Sequence, residues 1–111
     1  MKFSDKLEGN VAVFELSGKI MGGEATTMFH GRIRENVNNH IKSVVIDLKD
    51  VVWINSVGLG MLISALTTIR TAGGRLVLAN ITAVESLLSL TRLITVFEIY
   101  DSQKAAVESF D

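Results

Sequence analysis

Apolar and polar positions alternate along this 111-residue chain in two different periods. Residues 2–7 and 11–17 predict two strands, joined through Glu8-Gly9-Asn10, where Gly-Asn supplies the positive φ of a tight hairpin. Val11, Ala12, Val13, Phe14 and Leu16 make the second strand nearly continuous in apolar character, as in a strand with neighbours on both sides. Gly18 is expected to end it, with Lys19-Ile20-Met21-Gly22-Gly23 as a loop. A three-to-four spacing then takes over in Ala25, Met28, Phe29, Ile33 and Val37, which predicts a helix from about Glu24 to Asn38-Asn39.

Ser43–Leu48 is apolar on both faces, the pattern of a parallel strand buried under helices. Strand, helix and strand in this order imply a right-handed parallel crossover. Lys49-Asp50 bends the chain, and 51–54 reads as a connection or a short strand extension. A second helix is expected over Ser56–Thr71, with Leu59, Leu62, Ile63, Leu66 and Ile69 on its inner stripe and Gly73-Gly74 as its stop. Arg75–Ala79 is a further strand. Thr82–Thr91 reads as a third helix, with Thr82 as N-cap and Glu85 completing a capping box. Val96–Tyr100 is a last short strand. Asp101 or Ser102 caps a final helix through Phe110, with Ala106, Val107 and Phe110 facing inward. The order β-β-α-β-α-β-α-β-α predicts one α/β domain over 1–111, a mixed, mostly parallel sheet with helices packed against it.

Composition narrows the function. Nearly half the residues are apolar, a fifth are charged and the formal net charge is −1, so a nucleic-acid partner has no electrostatic footprint. The apolar stretches are strand-sized or broken by polar residues, so no membrane span is expected. Met-Lys-Phe-Ser-Asp-Lys lacks the apolar core of a signal peptide, and a cytoplasmic protein is the expectation. The absence of cysteine excludes disulfides, thiol chemistry and cysteine-based metal sites. No cofactor motif occurs. The glycines follow neither the phosphate-cradling nor the dinucleotide pattern.

Candidate chemistry gathers where the buried strand meets the second helix, at Asn55-Ser56-Val57-Gly58-Leu59-Gly60. Asn55 and Ser56 are both suitable N-caps. Each glycine in a helix costs about 1 kcal/mol relative to alanine, and the usual reason is close approach to the backbone. Spare N–H groups and the positive end of the helix dipole would also suit a phosphate on the Ser56 hydroxyl. Val57 and Met61 fall off the inner stripe and suggest an exposed apolar patch beside Ser56, unless the loop with Ile20 and Met21 covers it. Trp53 and Ile54 are expected in the core. Asp47 and Asp50, near the end of the buried strand, suit a solvated turn or a cap better than a Mg²⁺ site, which lacks a third ligand. A hydrolase using Ser56 or Asp47 would need His30 or His40 brought across the sheet, and the Gly-x-Ser-x-Gly pattern is absent.

These segments together resemble a STAS domain, and specifically the bacterial anti-sigma factor antagonists. Leu16-Ser17-Gly18-Lys19-Ile20 resembles the end of the family's second strand. Val44–Leu48 followed by Val51–Ile54 resembles its buried strand, and Gly73–Asn80 its glycine turn and next strand. Asn55–Gly60 resembles its Asp-Ser-Ser-Gly-Leu-Gly signature, with Asn55 in place of the acid and Val57 in place of the second serine. The resemblance implies that Ser56 is the residue phosphorylated by an anti-sigma factor that is also a serine kinase of the histidine-kinase ATPase type. Unphosphorylated, such an antagonist binds the anti-sigma factor and frees the sigma factor, and a serine phosphatase resets it. The implied partner surface comprises Asn55, Val57, Gly58, Gly60 and Met61 with Ile20, Met21 and Gly22. The Asn55 and Val57 departures also suit a scaffold that assembles with other STAS domains and is never phosphorylated.

Overall fold

The computed structural model describes residues 1–111. Five strands form one sheet in sequence order: β1 (Lys2–Glu8), β2 (Val11–Ile20), β3 (Ser43–Ile54), β4 (Arg75–Ala79) and β5 (Glu98–Tyr100). The helices are α1 (Glu24–Asn38), α2 (Ser56–Thr71), α3 (Glu85–Leu90) and α4 (Gln103–Glu108), with a 3₁₀ turn over Leu93–Thr95. β1 and β2 pair antiparallel from Lys2↔Ser17 to Glu8↔Val11, across a two-residue turn with Gly9 at φ 61°. The other three pairings are parallel, each reached through a helix.

The period-two pattern sorts the strands onto two cores. Ala12, Phe14, Leu16, Val44, Ile46, Leu48, Leu76 and Leu78 face one side, in one core with Phe29 and Ile33 of α1, six residues of α2 and Leu88 of α3. Val11, Val13, Val45, Val77 and Ala79 face the other side, where Ala106 of α4 covers them, flanked by Val107 and Phe110. Strands buried on both faces are therefore apolar at nearly every position.

Arg75 fastens α4 to the sheet. Its guanidinium pairs with Glu98 at 2.6 Å, donates to the Tyr100 hydroxyl and the Ser109 carbonyl at 2.9 and 3.0 Å, and lies 4.5 Å from the centre of the Phe110 ring.

The last strand starts at Glu98 rather than Val96 and the last helix ends at Glu108 rather than Phe110; three other differences from the sequence expectation shape the core and the surface. β2 does not end at Gly18. It runs on to Ile20, because 51–54, read as a connection or a short strand extension, is the extension: it continues β3 to Ile54 and pairs with β2 through two register shifts, at Glu15/Ser17 and Gly18/Lys19. Gly18 takes φ 81° at the second shift, a conformation open to glycine. Trp53, expected in the core, is 48% exposed. The pairing with β4 ends at Asp47↔Ala79, so beyond it β3 keeps only β2 as neighbour and buries Leu48, Val51 and Ile54 while Val52 and Trp53 stay exposed. Thr82 is not a helix cap. The chain turns over 81–84, Val84 N–H donating to the Ile81 carbonyl at 2.8 Å, so that Ile81 and Val84 both enter the core. α3 then starts only at Glu85, after Val84 and without a side-chain cap.

Candidate functional site

The stretch after β3 is held at two points by Asn55. Its N–H donates to the carbonyl of Ile20 at 3.2 Å, tying the strand exit to the end of β2. Its Oδ1 accepts from the Gly58 N–H at 2.9 Å, and its own carbonyl accepts from Leu59 at 2.9 Å. Asn55 is therefore the N-cap, in extended conformation, and Ser56 is the first helical residue. The first amides of a helix have no intrahelical acceptor. The Asn55 side chain takes one of them, and α2 carries no acid in its first turn. The helix end keeps its positive partial charge, and the Ser56 side chain is exposed beside it.

The glycine pair divides by role. Gly58 is buried, and a β-carbon there would run into the Ile20 carbonyl oxygen. Gly60 is exposed, and a β-carbon there would meet nothing within 4 Å. Only the first answers the expectation of close backbone approach within the protein.

The loop after β2 closes over the same turn. Gly22 and Gly23 both have positive φ, and the position a Gly22 β-carbon would take lies 2.8 Å from Cγ1 of Val57. Val57 nonetheless remains 56% exposed. Met61 does not, being 4% exposed. α2 is covered on two sides, by the sheet beneath and by α1 alongside, so its buried surface is wider than one stripe and includes Gly58 and Met61. Ile20, expected in a loop at the partner surface, is the fully buried last residue of β2. It shapes the site through its carbonyl.

Eight large apolar side chains of the chain are exposed, and four belong here: Val52, Trp53 and Val57 flank Asn55-Ser56, and Met21 stands on the covering loop. Val52 and Trp53 were missed as surface residues. The available signal was their place beyond the polar Lys49-Asp50 pair, where the neighbouring strand has ended.

The acids and histidines lie elsewhere. Asp47 is buried within β3, where the pairing with β4 ends, accepting from the Lys49 N–H, Asn80 Nδ2 and Gln103 Nε2, each at 2.9 Å. It joins β3, the end of β4 and α4, and is a buried hydrogen-bond hub rather than the solvated turn or cap expected from the sequence. No group of three or more His, Cys, Asp or Glu side chains is placed to hold a metal ion. His30 lies in a groove between α1 and α2, and His40 follows α1 at φ 64°. No helix is long and apolar enough to cross a membrane.

The fold is that of a STAS domain. Residues 3–106 match the sequence model of the STAS domain, and the chain belongs to that family. TM1081 of Thermotoga maritima, a candidate anti-sigma factor antagonist, is 28% identical with a TM-score of 0.84, over 96% of this chain and 92% of that one. An anti-sigma factor antagonist from Mycobacterium paratuberculosis is 24% identical with a TM-score of 0.77, over 97% and 92%. The Bacillus cell fate determinant SpoIIAA in its phosphorylated form is 13% identical with a TM-score of 0.78, over 99% and 100%, and the unphosphorylated form gives 0.77. No curated protein matches the chain at a significant level.

Proposed function

We propose that this STAS domain is an anti-sigma factor antagonist whose surface around Ser56 binds an anti-sigma factor and frees a sigma factor, with phosphorylation of Ser56 as the release signal. The observation that carries this is the exposed Ser56 on the first turn of α2, next to the exposed Val57 on which the loop bearing the exposed Met21 closes, and just after the exposed Trp53 in the chain. Asn55 and Gly60 lie in the same surface, while Gly22, Ile20 and Gly58 shape it from the covering loop and from beneath; the buried Met61 faces the α1–α2 junction instead.

A phosphate on Ser56 adds nearly two negative charges and three acceptor oxygens. At the positive end of a helix it does not unfold the domain. In a desolvated interface the same charge lacks a partner, so its effect falls on the complex. SpoIIAA keeps its likeness to this chain in both phosphorylation states. The kinase would be the anti-sigma factor itself, of the histidine-kinase ATPase type, and a serine phosphatase would reverse the step.

The test is incubation with ATP and the cognate kinase, read by mass. Wild type gains one phosphate and Ser56→Ala gains none; equal labelling of both overturns the site. Ser56→Glu weakens the partner complex, and unchanged affinity overturns the switch. A scaffold that assembles with other STAS domains is favoured by one observation, the neutral Asn55 cap where the family carries an acid. A stable oligomer with no phosphate on protein isolated from its host would select that role.

A further inference from the structure

α1 and α2 lie side by side, and along their junction on the solvent side runs a groove of about 420 Å³, within the ~300–1,000 Å³ range of sites that hold small ligands. Thr27, His30, Gly31 and Arg34 line the α1 wall at helical spacing, and Met61 and Ser64 line the α2 wall.

Gly31 is the unexplained member. A glycine inside a helix weakens it relative to alanine, and the compensation is normally a positive φ or a neighbour too close for a β-carbon. Gly31 has neither: its φ is ordinary, and a β-carbon there would meet nothing within 4 Å. What the glycine leaves is room.

The charge around that room is one-sided. Arg32 holds both Asp5 and Glu35 at 2.6 Å, whereas Arg34 is in none of the chain's four salt bridges. No acidic residue lines the groove. The hydroxyl of Thr26, at its margin, is buried without a hydrogen-bond partner. Burial, and then the charge of Arg34, hold the His30 imidazole below its ordinary pKa, and α2 contributes no charged group to this wall.

We propose that the α1–α2 groove binds a small oxyanion, a carboxylate or phosphate on a compact molecule. Arg34 supplies a permanent charge and a fork of donors. His30, Thr27 and Ser64 supply further polar contacts, and the buried Met61 supplies an apolar floor. The site is separate from Ser56, and it stands whether or not Ser56 is phosphorylated.

The test uses the full chain, ¹⁵N-labelled, in chloride at fixed ionic strength, titrated with sodium phosphate and in parallel with sodium acetate. At least one of the two produces saturating shifts at the amides of Gly31, Arg34 and Ser64, and it raises the pKa of His30, because a bound anion favours the imidazolium. Arg34→Gln weakens that binding by about tenfold or more. Gly31→Leu fills the groove and abolishes the shifts while the rest of the spectrum stays folded. Ser56→Ala binds like wild type, which separates this site from the switch. Shifts that rise without saturation in both titrations, persist in Arg34→Gln, or leave the His30 pKa unmoved overturn the proposal.

Discussion

Gly58 lies with its Cα turned onto the backbone of Ile20, so that a β-carbon at residue 58 would overlap the Ile20 carbonyl oxygen and stand 2.8 Å from side-chain carbons of Ile20 and Ile54. The same carbonyl accepts the Asn55 N–H. One peptide oxygen at the end of β2 therefore sets both where β3 stops and how closely α2 may start.

This predicts opposite signs for two chemically identical substitutions. Gly58→Ala forces a backbone shift in a packed contact and destabilises the domain by about 1–3 kcal/mol. Gly60→Ala, in open space on the same turn, removes the entropy cost of a helical glycine and stabilises by about 0.5–1 kcal/mol. Urea midpoints of the two variants should fall on either side of wild type; a shared direction would contradict the packing described at Gly58.

Asn55 predicts a separation of cap from charge. Asn55→Ala loses the bond to the Gly58 N–H and about 1 kcal/mol of stability. Asn55→Asp keeps an acceptor in place and adds a negative charge at the positive end of α2, gaining about 0.3–1 kcal/mol at low salt. Unfolding at low and high ionic strength checks both, since only the gain from Asp is screened.

His30 predicts an acid-sensitive step. Its folded pKa lies below the ordinary 6.5, from burial and from Arg34. Between the folded pKa and 6.5 the unfolded chain binds more protons, so stability rises with pH there. The contribution is complete above 6.5 and is lost as pH falls from 6.5 through the folded value. In chloride buffers, the wild-type midpoint therefore drops as pH falls from 6.5 through the folded pKa by more than that of His30→Gln. Equal slopes in the two proteins would place the imidazole in an unperturbed setting.

The sequence by itself determined α2 and β4 to the residue, because their signals are local: an Asn-Ser start, a Gly-Gly stop and a short apolar run between turns. It also determined the hairpin, the parallel crossovers and the two-faced burial of Val44–Leu48, since strand periodicity reports directly which faces are covered. The place of Ser56 at the strand-to-helix exit was legible for the same reason.

Only the tertiary structure decided what surrounds that serine. Met61 is buried because α1, some thirty residues earlier in the chain, lies along a second side of α2. Trp53 is exposed because β4 stops opposite Asp47 and leaves the end of β3 covered only where Val51 and Ile54 face the core. Ile20 belongs to a strand because Ile54 pairs with it. Thr82 fails as a cap because Ile81 and Val84 are both drawn into the core ahead of the helix. In each case the deciding contact comes from a neighbouring element or from the core as a whole. A local pattern shows that a side chain is apolar, but the elements packed beside it determine whether water reaches it.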